Sequence, residues 1–559
     1  MKFSCKLFFV LMMAFVLSVA TIAAVGELPR EETLVYGGGE WGPPSSFNPA
    51  AGGGFATGTE GLLYEPLFHF DPLANEYTPW LAETGEWISD TQYKIVLRDG
   101  ITWSDGVALT AEDVAFTWEV ALEAELAHML SFWDWTEEIE VVDELTAIFH
   151  FSDNPRYQAW NQALYDQVIF PKHVFGEVDD LLVWSNYDDP VGSGPYLLES
   201  VEQDRFTWVR DDDWWGNDVH GQPAPKYLVN RIVFSNNVVL GSLMKGEIDL
   251  SNFFLPGIPG LRNTFGVDTY YNQAPYHVQW NTAHVFLNTT RKPFDDTNFR
   301  RAIAFAMDSN TIVRRVYENM VTASNPTGLF GPWLDFYDAD VAEEYGFYYD
   351  LDKAAELLDE AGYVDTNGDG WRNAPDGSDI AIDLIVPNGW TDWMEASRAI
   401  TAGLRAAGIN AVSNFPDHGT WQNQMTTGNF NMVINNWTDT SASPYTFWSH
   451  IVGENITSTQ IWENFGRYDD QELFDAVSEF SYLSPDDPEA QVVASFIQQR
   501  ILEEMPVIPL WHNGLWAANT TANWTNWPSE DNPTGIACSW SAGWNLGFIR
   551  ALIELEPAN

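Results

Sequence analysis

The chain of 559 residues is strongly acidic, with 80 Asp and Glu against 26 Lys and Arg and a formal net charge of −54 at pH 7. Proteins that bind nucleic acid gain much of their affinity by neutralising phosphates with Lys and Arg, so this charge excludes that class. Hydrophobic residues make up 45% of the chain and charged residues only 19%, which excludes an acidic disordered protein and predicts a large folded core.

The N-terminus has the pattern of a secretory signal peptide. Lys2 and Lys6 precede an apolar run over residues 7–24, which ends in small residues. This pattern predicts that residues 1–26 are removed on export, and the periplasm is the expected location. The run of 18 residues also reaches the lower limit of a membrane span, so an uncleaved anchor is the alternative.

The two cysteines indicate whether the exported protein is attached to a membrane and whether it contains a disulfide. Cys5 precedes the apolar run, whereas a lipidated cysteine would stand at its end, so we expect no membrane anchor on the mature protein. Cys538 would then remain as a single cysteine and could form no internal disulfide. We therefore expect the mature chain to be stabilised by its core and not by disulfides. A monomer is the expected oligomeric state.

Short β-rich runs alternate with helical stretches along the chain. Strands are predicted over residues 93–97, 146–151 and 380–386, which are rich in β-branched and aromatic residues. This alternation is typical of an α/β fold.

The predicted helices carry recognisable start and stop signals. Thr110 and Asp113 have the spacing of a capping box, and a second helix is predicted to begin at Thr297. Gly362 and Gly408 are expected to end two further helices, because glycine adopts the left-handed conformation common after a helix C-terminus.

Several blocks, taken in order, resemble the extracellular solute-binding proteins of family 5, which are the dipeptide-, oligopeptide-, nickel- and cellobiose-binding subunits of bacterial transporters. The most specific stretch comprises PWLAE, YKIVLRDG, WSDG and LTAEDV within residues 79–114. Further similar blocks lie at residues 191–196 (VGSGPY), 213–216 (DWWG), 244–249 (MKGEID) and 288–308. Each block alone has a structural explanation, such as a tight turn at Asp105-Gly106, so we interpret them as markers of the fold and not as ligand contacts.

The resemblance implies a fold and a role. It implies an α/β, two-lobed periplasmic binding protein with an additional domain inserted in lobe one, which closes on a ligand and serves the permease subunits of an ABC transporter. The implied boundaries are 27–64, 191–287 and 511–559 for lobe one, 65–190 for the inserted domain and 288–510 for lobe two. The hinge strands are expected near residues 286–288 and 509–511.

Tryptophan is unusually abundant, with 27 residues, and many of them stand in polar, turn-like contexts. A flat ring covers the apolar face of a sugar, while neighbouring amides bind its hydroxyl groups. We therefore predict a di- or oligosaccharide site, cellobiose-like, and the stretch NGWTDWM at residues 388–394 resembles the sugar-binding branch of the family. The alternative for each ring is core packing. The candidate ligand-binding residues are Trp41, Trp280, Asn281, Trp390, Trp393, Asn436, Trp437 and Trp511.

Two other functions remain open from the sequence. Peptide-binding relatives use an aspartate after a Trp-rich segment, and Asp439 is the nearest equivalent here, where it could pair with a peptide α-ammonium group. A secreted glycoside hydrolase is the alternative from a different class, because paired carboxylates are abundant. No catalytic motif with a nucleophile, metal or phosphate loop is found in the sequence, so no catalytic residue is proposed and a binding protein is favoured.

A loop in the second half of the chain has the oxygen spacing of a calcium site. Side chains at positions 1, 3, 5 and 12 and a carbonyl at position 7 would supply the oxygens that calcium requires. The predicted ligands are Asp365, Asn367, Asp369, Trp371 through its carbonyl, and Asp376. The alternative is an acidic turn without metal, and any calcium here would be structural.

Overall fold

The computed structural model describes residues 28–40, 42–52, 54–436, 440–453, 456–460, 463–484 and 487–558. The predicted signal peptide lies outside the described residues. So do three candidates for the ligand site, Trp41, Trp437 and Asp439.

The strands are short and are spread over the whole chain. They are β1 Thr33–Gly37, β2 Phe68–Asp71, β3 Glu76–Pro79, β4 Ala82–Ser89, β5 Gln92–Leu97, β6 Thr136–Asp143, β7 Thr146–Phe151, β8 Tyr196–Val201, β9 Arg205–Arg210, β10 Tyr227–Arg231, β11 Leu250–Ser251, β12 Val267–Thr269, β13 Gln279–Leu287, β14 Thr322–Ala323, β15 Ile382–Ile385, β16 Ala411–Asn414, β17 Met432–Asn435, β18 Val507–Gly514, β19 Ala518–Thr520, β20 Trp524–Thr525 and β21 Glu556–Pro557.

The helices alternate with these strands, as the sequence predicts for an α/β protein. They are α1 Ala111–Glu123, α2 Ala127–Leu130, α3 Tyr157–Asp166, α4 Lys172–Phe175, α5 Asn236–Met244, α6 Ile258–Phe265, α7 Thr297–Phe305, α8 Ser309–Arg315, α9 Ala339–Tyr345, α10 Leu351–Glu360, α11 Thr391–Ala406, α12 His418–Thr426, α13 Tyr445–Val452, α14 Gln471–Tyr482, α15 Pro488–Glu504 and α16 Phe548–Glu554. Among the described residues, no helix combines the length and the apolar character needed to cross a bilayer.

Lobe one is built on a seven-stranded sheet in the order β12-β19-β11-β1-β10-β9-β8. Strand β1 pairs in parallel with both β10 and β11, and the pairs β10 with β9 and β9 with β8 are antiparallel. The strands come from the three chain segments that the sequence assigns to lobe one.

Lobe two is built on a six-stranded sheet in the order β14-β18-β13-β17-β15-β16. Its long strands β13 and β18 pair antiparallel along most of their length and belong wholly to this sheet. The chain therefore crosses from lobe one just before Gln279 and returns just after Gly514. The predicted hinge positions near 286–288 and 509–511 fall at the end of β13 and inside β18, and the exact domain boundaries stay a prediction.

The inserted domain contains the four-stranded antiparallel sheet β4-β5-β7-β6 and the hairpin β2-β3. Its aromatic side chains share one buried cluster with lobe one, which includes Trp118, Trp160, Phe206 and Trp208. The inserted domain and lobe one are therefore packed as a single body.

The local signals in the sequence are confirmed where they can be compared. Thr110 and Asp113 form the predicted capping box at the start of α1, and α7 begins at Thr297. Gly362 and Gly408 have φ angles of 85° and 87° after α10 and α11. At both positions the left-handed backbone ends the helix.

Candidate functional site

A cavity of about 270 Å³ lies between the two lobes beside the hinge strands. Lobe one contributes Gly39, Asn252, Phe253, Phe254, Trp516 and Trp540, and lobe two contributes Trp390, Asp392, Trp393, His418, Trp421, Asn435 and Asn436, with Asn281 and Asn513 from β13 and β18. The lining thus contains five tryptophans and five asparagines, so broad aromatic faces stand next to neutral amides.

The lobe-two wall is an aromatic cluster made by the start of α11 and the start of α12. The rings of Trp390 and Trp393 are 4.8 Å apart at an interplanar angle of 74°, and Trp421 lies 5.8 Å from Trp390. His418 lies 5.6 Å from Trp421 and completes the cluster. Trp393 and Trp421 are nearly fully buried at 2% and 3% exposure, whereas Trp390 is half-buried at the cavity wall.

The lobe-one wall places Trp516 against Phe254 and Tyr317. Its ring meets Phe254 edge-on at 5.3 Å and lies parallel to Tyr317 at 5.9 Å. Asn252 holds the segment before Trp540, because its Oδ1 accepts hydrogen bonds from the backbone N–H and the hydroxyl of Ser539 at 3.1 and 2.8 Å. The contacts with Phe254 and Asn252 lie within lobe one and order its wall before any ligand binds, which lowers the cost of ordering it. The Tyr317 contact comes from lobe two.

The base of the cavity is formed by the paired hinge strands. Asn281 of β13 and Asn513 of β18 are cross-strand partners. Asn436 follows β17 and donates from Nδ2 to Oδ1 of Asn281 at 3.1 Å. These amides offer both donors and acceptors to a ligand and carry no charge.

One carboxylate is present in the cavity lining, that of Asp392. Asn236 of lobe one donates to its Oδ1 at 3.1 Å, and the Tyr317 hydroxyl lies 3.4 Å from its Oδ2. Burial raises the pKa of Asp392 to about 6, against the lowering effect of its hydrogen bonds. Burial also lowers the pKa of His418, against the raising effect of the neighbouring Asp417.

Within the described part of the chain, the indole N–H of Trp421 is buried and has no hydrogen-bond acceptor. Such a buried donor costs free energy unless it finds a partner, and ordinary protein interiors satisfy nearly all of them. The indole N–H groups of Trp103 and Trp160 share this lack of an acceptor away from both cavities, so what distinguishes Trp421 is its place in the cavity lining.

The sequence-predicted candidates divide into two groups. Trp390, Trp393, Asn281 and Asn436 all line the cavity. Trp280 and Trp511 are fully buried. They belong to the core clusters and do not contribute to the lining, so the candidate site does not include them.

Sequence reasoning missed several lining residues, namely Asn252, Asp392, His418, Trp421 and Trp540. Trp421 lies within α12, where it and Met425 are buried one turn apart, so its sequence context is that of a core residue. The neighbouring His418, three residues earlier on the same helix face, is the one signal that could have indicated a polar aromatic wall.

A second cavity of about 830 Å³ lies between the lobes next to the first. It is bordered by Leu73 and Asn75 of the inserted domain and by Gln279, which stands two residues before Asn281 on β13. The His277 ring on its wall is 5.2 Å from Trp516. The two cavities therefore adjoin at the hinge.

The predicted calcium loop lies in lobe two, away from both cavities. The Asp365 carboxylate accepts hydrogen bonds from the backbone N–H groups of Gly368 and Gly370 at 2.7 and 2.9 Å. Asp376 pairs with Lys292 at 3.3 Å and with Ser378, and these hydrogen bonds lower its pKa to about 2. Among the described residues, no three acidic, His or Cys side chains are arranged to hold a metal ion, and calcium here stays a prediction.

If calcium binds this loop, the Asp365→Ala variant should lower the unfolding midpoint more in excess calcium than in chelator, because a ligand of the native state stabilises it. Thermal unfolding of the variant and the wild type in both buffers measures the difference. An equal loss in the two buffers would mean that Asp365 acts only through its hydrogen bonds to the loop.

The fold and its cleft define a two-lobed binding protein, and comparisons with known proteins give its family. A family model described as bacterial extracellular solute-binding proteins, family 5, middle region, matches residues 76–459. The chain belongs to this family, whose members are solute-binding proteins of ABC transporters.

Solved structures and curated relatives agree with this assignment. A periplasmic oligopeptide-binding protein of an oligopeptide ABC transporter from Thermotoga maritima, solved with bound mannohexaose, is 39% identical with a TM-score of 0.91, covering 95% of this chain and 99% of that one. The oligopeptide-binding protein AppA of Bacillus subtilis is 25% identical over 411 residues, 71% of this chain and 72% of the relative. Its structure with a nonapeptide shares the fold, with a TM-score of 0.74 at 19% identity over 94% of this chain and 99% of that one.

Proposed function

We propose that this protein captures a neutral oligosaccharide between its lobes and delivers it to the permease of an ABC importer. The observation that carries the proposal is the cavity lining, which combines five tryptophans with five asparagines and a buried indole N–H on Trp421 that lacks an acceptor. The similarity to a protein solved with mannohexaose supports the same ligand class.

The lining suits a sugar for physical reasons. The C–H faces of pyranose rings are apolar and stack on indoles, and the ring hydroxyls both donate and accept hydrogen bonds, as do the Asn281 and Asn436 side chains. A neutral ligand also needs no ion pair, which agrees with a cavity that has a single buried carboxylate.

A peptide is the second candidate, because the relative AppA is named for oligopeptide binding. A peptide brings an α-ammonium and an α-carboxylate, and each would need a charged partner in a desolvated cleft. No Arg or Lys is found among the described residues that line either cavity. Asp392 is already bonded to Asn236, and the larger cavity adds the acids Asp335 and Glu530. What disfavours a peptide is therefore the lack of a basic partner for its α-carboxylate in the described lining.

A glycoside hydrolase is poorly supported by the same lining. Glycoside hydrolysis needs two carboxyl groups about 5 to 10 Å apart on either side of the scissile bond. The described lining of the smaller cavity offers only Asp392, and the acids of the larger cavity, Asp335 and Glu530, do not line the smaller one. The matched family, moreover, is one of solute-binding proteins. The proposal is therefore binding without chemical conversion of the sugar.

The larger cavity next to the first favours a ligand of several sugar rings and not a single sugar. The smaller cavity of about 270 Å³ falls just below the range of about 300 to 1,000 Å³ that is typical for small-molecule sites. The larger one lies directly next to it along β13. We therefore propose a ligand of several sugar rings that extends from the smaller cavity towards the larger one.

Trp421→Phe should weaken mannohexaose binding about tenfold, because the variant keeps an aromatic ring but loses the indole N–H that the proposal pairs with a ligand oxygen. The stability of the unliganded protein should fall only modestly, because removal of an unsatisfied donor partly offsets the packing that the smaller ring loses. Titration calorimetry and thermal unfolding of the same preparation measure both quantities.

Trp103→Phe is the matched control, because the Trp103 indole N–H is also buried without an acceptor but lies in the inserted domain, outside both cavities. It should leave affinity unchanged. Equal affinities of Trp421→Phe and wild type would remove the Trp421 N–H from the site.

A further inference from the structure

The inserted domain reaches lobe two through the start of α3. Arg156 directly precedes this helix, and its Nε donates to the Tyr482 hydroxyl at 3.1 Å. The guanidinium also lies over the Tyr482 ring, 5.1 Å from its centre. Tyr482 is the last residue of α14, so this contact joins two elements that belong to different lobes.

Two further contacts lie beside the first. Gln158, which is 3% exposed, donates from Nε2 to the carbonyl of Leu483 at 2.8 Å. Gln162 stands one helical turn further along α3 and accepts a hydrogen bond from the Thr446 hydroxyl at the start of α13. One side of α3 thus makes a row of polar contacts with lobe two.

These contacts span the cleft. The inserted domain shares its buried core with lobe one, through residues such as Trp160 and Trp208. Phe447, Trp448 and Phe480 of α13 and α14 instead pack in the core that contains the lobe-two sheet. When the lobes separate, the contacts of α3 with α13 and α14 must break, and polar groups can exchange them for water at low cost.

We propose that Arg156 is a positioning residue for ligand capture, which together with Gln158 latches the inserted domain onto lobe two and stabilises the closed form. The latch touches neither cavity, so it sets affinity through the population of the closed form. The proposal depends on the proposed function only for the choice of mannohexaose as the probe ligand.

Arg156→Ala should raise the Kd for mannohexaose about three- to tenfold, mainly through faster dissociation, because one charge-assisted contact of the closed form is lost. The unfolding midpoint of the unliganded protein should not change. Arg156→Lys keeps a cation over the Tyr482 ring and should restore part of the affinity. Stopped-flow tryptophan fluorescence and calorimetry give the rate and the affinity.

Arg205→Ala is the control for charge, because Arg205 is an arginine of lobe one whose ion pair is with Glu202 in the same lobe. It should bind like the wild type. If mannohexaose dissociates from Arg156→Ala as slowly as from Arg205→Ala, the latch proposal is wrong.

If the wild type does not bind mannohexaose, the proposed ligand is wrong, and the latch is then tested without ligand. Small-angle scattering should give a larger radius of gyration for Arg156→Ala than for Arg205→Ala, because the closed form is less populated. Equal radii would overturn the latch independently of the ligand.

Discussion

Trp390→Ala should weaken mannohexaose binding by more than about 2 kcal/mol, or roughly thirtyfold, because a ring that anchors a ligand in a desolvated cleft contributes at that scale. Trp390 is half-buried at the cavity wall and stands directly before α11. Its truncation should leave the unliganded protein nearly as stable as the wild type. Calorimetry and thermal unfolding of one preparation test both statements.

Trp393→Ala should behave differently, although its ring also lines the cavity. Trp393 is 2% exposed and belongs to the lobe-two core. Its truncation should lower the free energy of unfolding by about 3 to 5 kcal/mol, as for other large core side chains. A Trp390→Ala variant with lower stability but unchanged affinity would show that Trp390 is a packing residue. A Trp393→Ala variant as stable as the wild type would show that Trp393 is not part of the core.

Glu65→Ala should be among the most destabilising single changes in the inserted domain. The buried Glu65 carboxylate accepts hydrogen bonds from the indole N–H groups of Trp80 at 2.8 Å, Trp214 at 3.2 Å and Trp215 at 2.8 Å. Truncation leaves two buried donors and the partly buried Trp215 donor without this acceptor, at about 1 to 3 kcal/mol for each buried one. The expected loss is therefore several kcal/mol, measured by denaturant unfolding against Glu76→Ala, an exposed glutamate of the same domain.

Glu65→Gln separates the hydrogen bonds from the charge. The Gln carbonyl can still accept from Trp80 and Trp214, so the loss at low pH should be well below that of Glu65→Ala. Burial raises the pKa of Glu65 to about 8, against the lowering effect of the indole bonds. Because the pKa of Glu65 is higher in the folded than in the unfolded protein, the protonated Glu65 side chain stabilises the fold fully below about pH 4.5. This stabilisation is lost as the pH rises through about 8.

The wild type should therefore lose stability relative to Glu65→Gln between pH 5 and 9. Unfolding curves at several pH values for the two proteins measure this difference. A constant difference over that range, or a Glu65→Ala variant as stable as the wild type, would mean that the three indoles do not depend on this carboxyl group.

Much of the architecture is predictable from the sequence, because it depends on local signals and on ordered blocks. The capping box of Thr110 and Asp113 and the start of α7 follow from side chains within a few residues of each other. The loop before α11 could be predicted as part of the ligand site from local sequence alone, because Trp390 and Trp393 lie on either side of a helix start in a polar stretch.

The rest of the site depends on contacts between distant segments. Trp280 and Trp511 stand next to asparagines in the sequence, which suggests exposure, but β13 and β18 are covered on both faces and bury both rings completely. Trp421 and Trp540 reach the cavity only because α12 and the C-terminal segment meet across the cleft. No local pattern in the sequence contains that information.

The proposed ligand of this solute-binding protein is a neutral oligosaccharide. Calorimetric titration of the protein with mannohexaose and, in parallel, with a nonapeptide, followed by analysis of the recovered ligands, tests it most directly. We predict saturable binding of mannohexaose with the sugar recovered intact, and no binding of the peptide. Binding of the nonapeptide without binding of mannohexaose would contradict the proposed ligand, and recovery of cleaved sugar would contradict binding without chemistry.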